Sequence, residues 1–313
     1  MSVNAIIEKI TEQIQEGIYP GASLALYRNG QWSEHYLGLA DPEKGEPVVA
    51  DLVYDLASVS KVVGVATICA FLYAKGELAL DRSFKELYPR FAHEKTTIRE
   101  LLTHTSGLDP FIPNRDQLDA RQLKTALENL QLKEDKSFHY TDVNFLLLGF
   151  WLEDRFHQPL DRLFEELIFT PWKMTETRFG PVEKAVPTVR GLASGSVHDP
   201  KARVLGCHAG SAGLFSTVAD LERFLEHYLK EDFARDLSQN FAREEGKTRA
   251  LGWNLEGDWL DHTGYTGTFI MYNRQSQEAV IFLSNRTYEK DERAQWILDR
   301  NSLMDLIKQQ FEK

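Results

Sequence analysis

Apolar residues first recur at every fourth position. Ile6, Ile10 and Ile14 stand among acids and amides in "NAIIEKITEQIQEG", the pattern of an amphipathic helix. Two runs of β character follow, "GASLALYR" and "QWSEHYLGL", joined by Asn29-Gly30. Both joining residues tolerate positive φ, and such a pair between two strand-like runs is the strongest short hairpin signal. Near the other end "TFIMYNR" and "AVIFLSNR" read as two more strands, and "DERAQWILDRNSLMDLIKQQF" as a closing helix. Between them the period turns helical, in "IRELLTH", "DARQLKTALENLQL", "VNFLLLGFWLEDRF" and "LDRLFEELIF". Loops such as "SGLDPFIPNRD" and "GLASGSVHDPKA" separate these segments, with no repeat or low-complexity linker. The pattern predicts an α/β fold of the α+β type. Both chain ends form one antiparallel sheet flanked by helices (1–60 and 221–313), with an all-helical lobe inserted at 61–220. A site is expected in the cleft between the two.

Composition narrows the function classes. With 42% hydrophobic and 27% charged residues, the 313-residue chain has the balance of a soluble globular protein. Its net charge of -11 argues against nucleic acid and anionic membrane surfaces as partners. The longest apolar run, Val62 to Ala74, is shorter than the roughly 20 residues a membrane helix needs, so no transmembrane segment is expected. The N-terminus shows no basic region followed by an apolar core, from which a cytoplasmic location is expected. Cys69 and Cys207 form neither a disulfide framework nor a metal spacing, and Cys69 reads as a small buried hydrophobe. His198-Asp199 and Cys207-His208 lack the spacing of a metal site. Neither a metal nor a cofactor is expected.

One feature of the apolar run demands an explanation. Lys61 stands at its head, three residues after Ser58, and an unpartnered buried ammonium costs several kcal/mol. Residues three apart on a helix share a face, with Cβ atoms roughly 5–6 Å apart. At a helix start the Ser58 N–H is unpaired and the positive end of the helix dipole favours a developing anion. A lysine whose charge is disfavoured by burial can accept a serine proton. The plainer alternative is a serine cap with a lysine reaching water. Tyr140, in "HYTDVNFLLLG", precedes a helix whose N-cap is Thr141 or Asp142; it is a packing residue or a phenolic base. In "DHTGYTGTFIMYNR", Gly264 and Gly267 mark close backbone approach at a strand margin, and His262 is either structural or catalytic. Ser211 in "AGSAG" misses the nucleophile-elbow pattern because Ala209 replaces the first glycine and no strand precedes it. It reads as a turn before a helix capped by Ser216 or Thr217, with Asp220 completing a capping box. His104 reads as structural.

Taken in order, Ser58-x-x-Lys61, Tyr140-x-Asp142 and His262-Thr263-Gly264 resemble the three motifs of the serine β-lactamase and penicillin-binding protein superfamily. Its usual forms are S-x-x-K, Y-x-N and K-T-G or H-T-G. "IRELLTHTSGL" and "GSAGLFSTVADLERF" are similar to its class C branch, and the resemblance spans about Gly21 to Arg286. It implies the same sheet-plus-helical-lobe fold. It also implies Ser58 as nucleophile, Lys61 as its proton partner, and Tyr140 as general base and later acid. The implied oxyanion hole is the backbone N–H of Ser58 and of Tyr265, with Asp142, His262, Thr263 and Gly264 against substrate. Two departures matter. Asp142 replaces the usual amide donor by an acceptor, and His262 replaces the fixed charge of the lysine form. If protonated, His262 would still hold an anionic substrate group. The expectation is a serine hydrolase working through an acyl-enzyme on small esters or amides. The alternatives are a class C-type β-lactamase or DD-carboxypeptidase, and a silent homologue used as a binding module. Retention of Ser58, Lys61 and Tyr140 together argues against the last.

Overall fold

The chain opens with α1 (Val3–Gln15), β1 (Gly21–Arg28) and β2 (Gln31–Asp41). Arg28 pairs with Gln31 across Asn29 (φ 54°) and Gly30 (φ 80°), so the hairpin has the two-residue turn that Asn-Gly predicts. After the short β3 (Glu46–Pro47) and β4 (Tyr54–Asp55), a 3-10 turn at Ala57–Val59 and a π-helical turn at Val62–Ala66 lead into α2 (Thr67–Ala74). Next come α3 (Phe84–Leu87), α4 (Ile98–Thr103), α5 (Ala120–Glu128), α6 (Val143–Phe156) and α7 (Leu160–Phe164). Then follow β5 (Arg178–Phe179), α8 (Pro200–Leu205), β6 (Leu214–Ser216) and α9 (Val218–Lys230). The chain closes with β7 (Asn254–Glu256), β8 (Trp259–Thr263), β9 (Phe269–Asn273), β10 (Glu278–Ser284) and α10 (Arg293–Phe311). This computed structural model describes residues 3–243 and 247–312.

Seven strands form one sheet in the order β3-β2-β1-β10-β9-β8-β7, and the six pairings between neighbours are antiparallel. Strands from both chain ends therefore meet at its centre, where β1 pairs with β10. Both faces of these central strands are covered, so β10 is buried along its whole length and reads as a continuous apolar run. Alternate side chains divide between two cores. Leu24, Leu26, Val280 and Phe282 pack with Ile6 and Ile10 of α1 and with Trp296, Leu303 and Ile307 of α10. Ala25, Tyr27, Ala279 and Ile281 belong to the larger core on the other face, where α9 packs against the sheet. α1 and α10 lie side by side, with Gln13 Nε2 donating to the Asp299 carbonyl at 3.0 Å.

The inserted segment is not wholly helical. β6 lies between β4 and β5 in a second, three-stranded sheet beside the turn that carries Ser58. Two- and three-residue strands carry no detectable period, which is why the pattern missed them. The helix after Lys61 is the hub of the larger core. Ala57–Ala74 is 18 residues long and apolar enough to cross a membrane, yet 78% of it is buried inside the fold. Gly64 allows its closest contact: a Cβ there would lie 2.3 Å from Phe164 Cε2. Gly64→Ala is expected to destabilise the protein by about 1–3 kcal/mol, the usual cost of overpacking. Denaturant unfolding measures this, and wild-type stability in the variant would show that the Phe164 ring moves freely.

Candidate active site

The turn carrying Ser58 is held in a conformation that the backbone does not favour. Ala57, immediately before it, has φ of +46°, a left-handed value that costs a non-glycine residue of order 1–3 kcal/mol. Its N–H donates to Asp55 Oδ1 at 2.8 Å, while Asp55 Oδ2 accepts the His198 N–H at 2.7 Å. Burial pushes the Asp55 carboxyl up to about 6, against the pull of those two N–H bonds. From the other side, Thr266 Oγ1 donates to the Asp55 carbonyl (2.9 Å) and Thr268 Oγ1 to the Leu56 carbonyl (3.1 Å). Gly264 is needed at this contact, because a Cβ would lie 2.6 Å from the Leu56 carbonyl oxygen. The β8–β9 turn thus clamps the nucleophile turn. Sequence reasoning missed Asp55, Thr266 and Thr268; their only signal is proximity to the motifs.

Lys61 is fully buried and makes three hydrogen bonds. Its Nζ donates to Ser58 Oγ (2.8 Å), Asp142 Oδ1 (2.7 Å) and the Ser211 carbonyl (2.9 Å). An ammonium has three donors, so the set is complete. Burial alone would lower its pKa, but the Asp142 carboxylate, helped by Tyr140, outweighs burial and raises it above lysine's ordinary value. The expectation that burial frees Lys61 to accept a proton is therefore corrected. Asp142 keeps it an ammonium. Asp142 itself is held well below the usual carboxylate range, since Lys61 and Lys201 (3.1 Å from Oδ2) together outweigh its own burial. Its side chain makes no cap bond at α6; Thr141 Oγ1 accepts the Val143 N–H instead, at 3.4 Å.

Tyr140 lies at the mouth of the site, 37% exposed, with Lys61 Nζ 5.2 Å from its ring centroid. His104 packs behind it, ring centroids 4.5 Å apart, and is itself buried and neutral. His262, on β8, has its ring centroid 6.1 Å from that of Tyr140. Burial, then the charges of Lys61 and Arg249, hold its pKa well below the ordinary histidine value. Its Nδ1 lies 3.1 Å from the Thr263 carbonyl. A neutral His262 is no anion anchor, which corrects that expectation; burial beside two cations decides against the imidazolium. Ser211 is wholly buried and contributes its carbonyl to Lys61. Thr217, rather than Ser216, caps α9, accepting the Asp220 N–H at 3.2 Å. Asp220 makes no reciprocal cap. Its Oδ2 accepts from Glu176 N (2.8 Å) and Thr177 Oγ1 (2.8 Å) instead.

Ser58 sits where two cavities meet. The larger, about 660 Å³, is lined by Ser58, Tyr140, Asp142, Lys201, Arg203 and Tyr265 among others. The smaller, about 210 Å³, reaches Ser58 from the other side. His262, Thr263 and Gly264 line it together with Lys247, Arg286, Arg293 and Arg300, and among the described residues no carboxylate stands on its wall.

A family model described as Beta-lactamase matches residues 6–303, so the chain belongs to that family. The fold and the family define a serine hydrolase of the β-lactamase and penicillin-binding protein superfamily. An Escherichia coli (strain K12) protein named "Putative D-alanyl-D-alanine carboxypeptidase" is 27% identical, over 91% of this chain and 82% of that one. A β-lactamase/D-alanine carboxypeptidase from Pseudomonas syringae superposes with a TM-score of 0.76 at 21% identity, covering 95% and 97% of the two chains. EstCE1, a hydrolase with promiscuous acyltransferase activity, gives 0.77 at 20% identity, covering 96% and 97%.

The Lys61–Asp142 pair gives a stability test with a definite sign. In the wild type the raised Lys61 pKa contributes stability below the unfolded value of about 10.4, lost as pH rises through the folded one. The depressed Asp142 pKa contributes stability above about 3.9, lost as pH falls through its folded value. In Asp142→Asn burial, the largest influence on Lys61, is opposed by Tyr140 alone, and its folded pKa is expected to fall below about 10.4. The unfolded chain then binds the extra proton, so the variant should gain stability between pH 7 and pH 9.5. Urea unfolding at the two pH values measures this. A variant whose stability is flat or falling over that range would overturn the assignment.

Proposed function

We propose that the protein cleaves amides or esters through an acyl-enzyme on Ser58, and that the group it expels carries a carboxylate. The carrying observation is the smaller cavity, lined by Lys247, Arg293 and Arg300 and, among the described residues, by no carboxylate, Asp261 acting on Lys247 and Arg300 without lining it. Ser58 Oγ attacks the carbonyl carbon while its proton passes to the Tyr140 oxygen, which enters the step as a phenolate. The oxyanion is received by the N–H groups of Ser58 and Tyr265, each such donor contributing about 2.7–4 kcal/mol. Lys61 stays charged throughout and compensates the negative charge as it leaves Tyr140 for the oxyanion and returns to Tyr140 on collapse. As the tetrahedral intermediate collapses, Tyr140 returns the proton to the leaving nitrogen or oxygen. Water repeats the sequence on the acyl-enzyme. This is the reaction class of a D-peptide carboxypeptidase, and the name of the Escherichia coli relative supports it. A second reading, hydrolysis of small neutral esters within the cell, is favoured by Asp142, which cannot donate to a substrate amide as the family's usual asparagine does.

Paired chromogenic esters separate the two. Butyrate esters of 4-nitrophenol and of 5-hydroxy-2-nitrobenzoate differ in the leaving group's carboxylate. The carboxylate-bearing ester should have the higher kcat/KM, and Arg300→Met should lower it by a factor of roughly 10–150, the equivalent of about 1.5–3 kcal/mol for a charged hydrogen bond. A D-Ala-D-Ala peptide should release D-alanine. Equal kcat/KM for both esters, with no D-alanine release, would favour the neutral-ester reading.

Because His262 is neutral, the ratio of the two kcat/KM values should stay constant from pH 6 to pH 8. A ratio that falls with a midpoint near 6.5, an ordinary histidine value, would restore His262 as the anchor. For the proton transfer, Tyr140→Phe should lower kcat by about 10²–10⁴. Stopped-flow acylation measures this, and an unchanged rate would remove Tyr140 from the mechanism.

A further inference from the structure

The larger cavity holds a charge that the acyl-enzyme chemistry does not use. Asp142 takes Lys61 on Oδ1 (2.7 Å) and Lys201 on Oδ2 (3.1 Å), so two cations share one carboxylate and Lys201 keeps hydrogen-bond donors to spare. Lys201 comes from the first turn of α8, where Asp199 is the N-cap and accepts the Ala202 N–H at 2.8 Å. The other Asp199 oxygen is 3.7 Å from Lys201 Nζ, an ion pair too long for a hydrogen bond. A cation in the first helical turn also opposes the helix dipole, so α8 gains nothing from a lysine there. The third carboxylate of the cavity, Asp291, is engaged by Arg286 (2.6 Å) and by the Tyr265 hydroxyl. Lys201 is mostly buried, with 14% of its side chain exposed, and it lines the cavity that starts at Ser58.

We propose that Lys201 is a specificity-determining residue, selecting acyl groups that carry a carboxylate. This rests on the acyl-enzyme reading, with the acyl group in the larger cavity and the leaving group in the smaller one. Replacing an asparagine amide by the Asp142 carboxylate removes a hydrogen-bond donor from the wall of the acyl cavity. Lys201 supplies another from the same wall, and this one bears a full charge. An ammonium has three donors, and Asp142 engages one face of Lys201, leaving donors for a third partner. A neutral acyl chain must displace water from that ammonium without replacing it. A carboxylate exchanges the water for a charge-assisted hydrogen bond. Repulsion from Asp142 is muted, because both its oxygens already face cations.

The test uses 5-hydroxy-2-nitrobenzoate esters of adipic acid (as the monoester) and of hexanoic acid. They share the leaving group and the chain length, and differ only in a terminal carboxylate. Wild-type kcat/KM should favour the adipate at least tenfold, and the preference should shrink as salt is raised. Lys201→Met and Lys201→Gln should bring the ratio near one, while Lys201→Arg should keep it. A ratio near one in the wild type, or a preference that survives in Lys201→Met, would overturn the role of Lys201 and leave the acyl-enzyme intact. The Ser58→Ala variant tells the two failures apart. Hydrolysis of both esters at the wild-type rate in that variant would sink the acyl-enzyme reading itself, and this inference with it.

Discussion

Everything around Ser58 depends on how one buried ammonium is satisfied. Lys61 has three donors and receives three acceptors from three parts of the chain: its own turn, the residue before α6, and the backbone leading into β6. Taking any partner away leaves a buried charge short of compensation, a loss of about 3–5 kcal/mol where the partner is the opposite charge. The bond set is therefore also a packing instruction. It fixes the distance between α2, α6 and β6, and with it the shape of the cleft. It sets the chemistry as well, because a lysine held as an ammonium is a permanent charge. In the proposed reaction, proton traffic then falls to Tyr140, the neighbouring group at the cavity mouth.

The distribution of charge around the nucleophile runs against that of the whole chain. The protein has a net charge of -11, yet Lys61, Lys201, Arg203, Lys247, Arg293 and Arg300 gather around or behind two adjoining cavities. At long range the chain repels anions, and salt screens that repulsion beyond about 8–10 Å. Inside the cleft the low-dielectric walls strengthen the local cations, so attraction takes over only at close quarters. Such an arrangement discriminates by fit within the cavity rather than by steering from solution.

Legibility followed the range of the interactions. The β1–β2 hairpin was readable because Asn29-Gly30 states its turn in two adjacent residues. β9 and β10 were readable because buried central strands are apolar throughout. Ser58, Lys61, Tyr140, Asp142, His262, Thr263, Gly264 and Tyr265 were nameable because the motifs stand in order, and the fold collects them around one cleft. Protonation states were not readable. They depend on Asp142 meeting Lys61 across 81 positions and on His262 lying among Lys61 and Arg249. Lys201 left one indirect trace, since an aspartate beside the nucleophile must find countercharge somewhere. The predicted start of the last helix was two residues early, because Asp291 is engaged by Arg286 and Tyr265 instead of opening α10.

The clamp on the nucleophile turn has a consequence for the chain as it is made. Besides the local Asp55 Oδ1 bond, the left-handed backbone at Ala57 is held by Thr266 and Thr268 on the carbonyls of Asp55 and Leu56, and these bonds join residues 211 and 212 positions apart. β1 likewise waits for β10 before its second edge is paired. A growing chain can therefore place Ser58 and Lys61 side by side early, on local geometry alone. It cannot lock the strained turn, or close the cleft, until the last strands have been synthesised and docked. For the reaction proposed above, activity is thus coupled to completion of the fold: a chain truncated before β9 carries Ser58 without the geometry that would make it reactive.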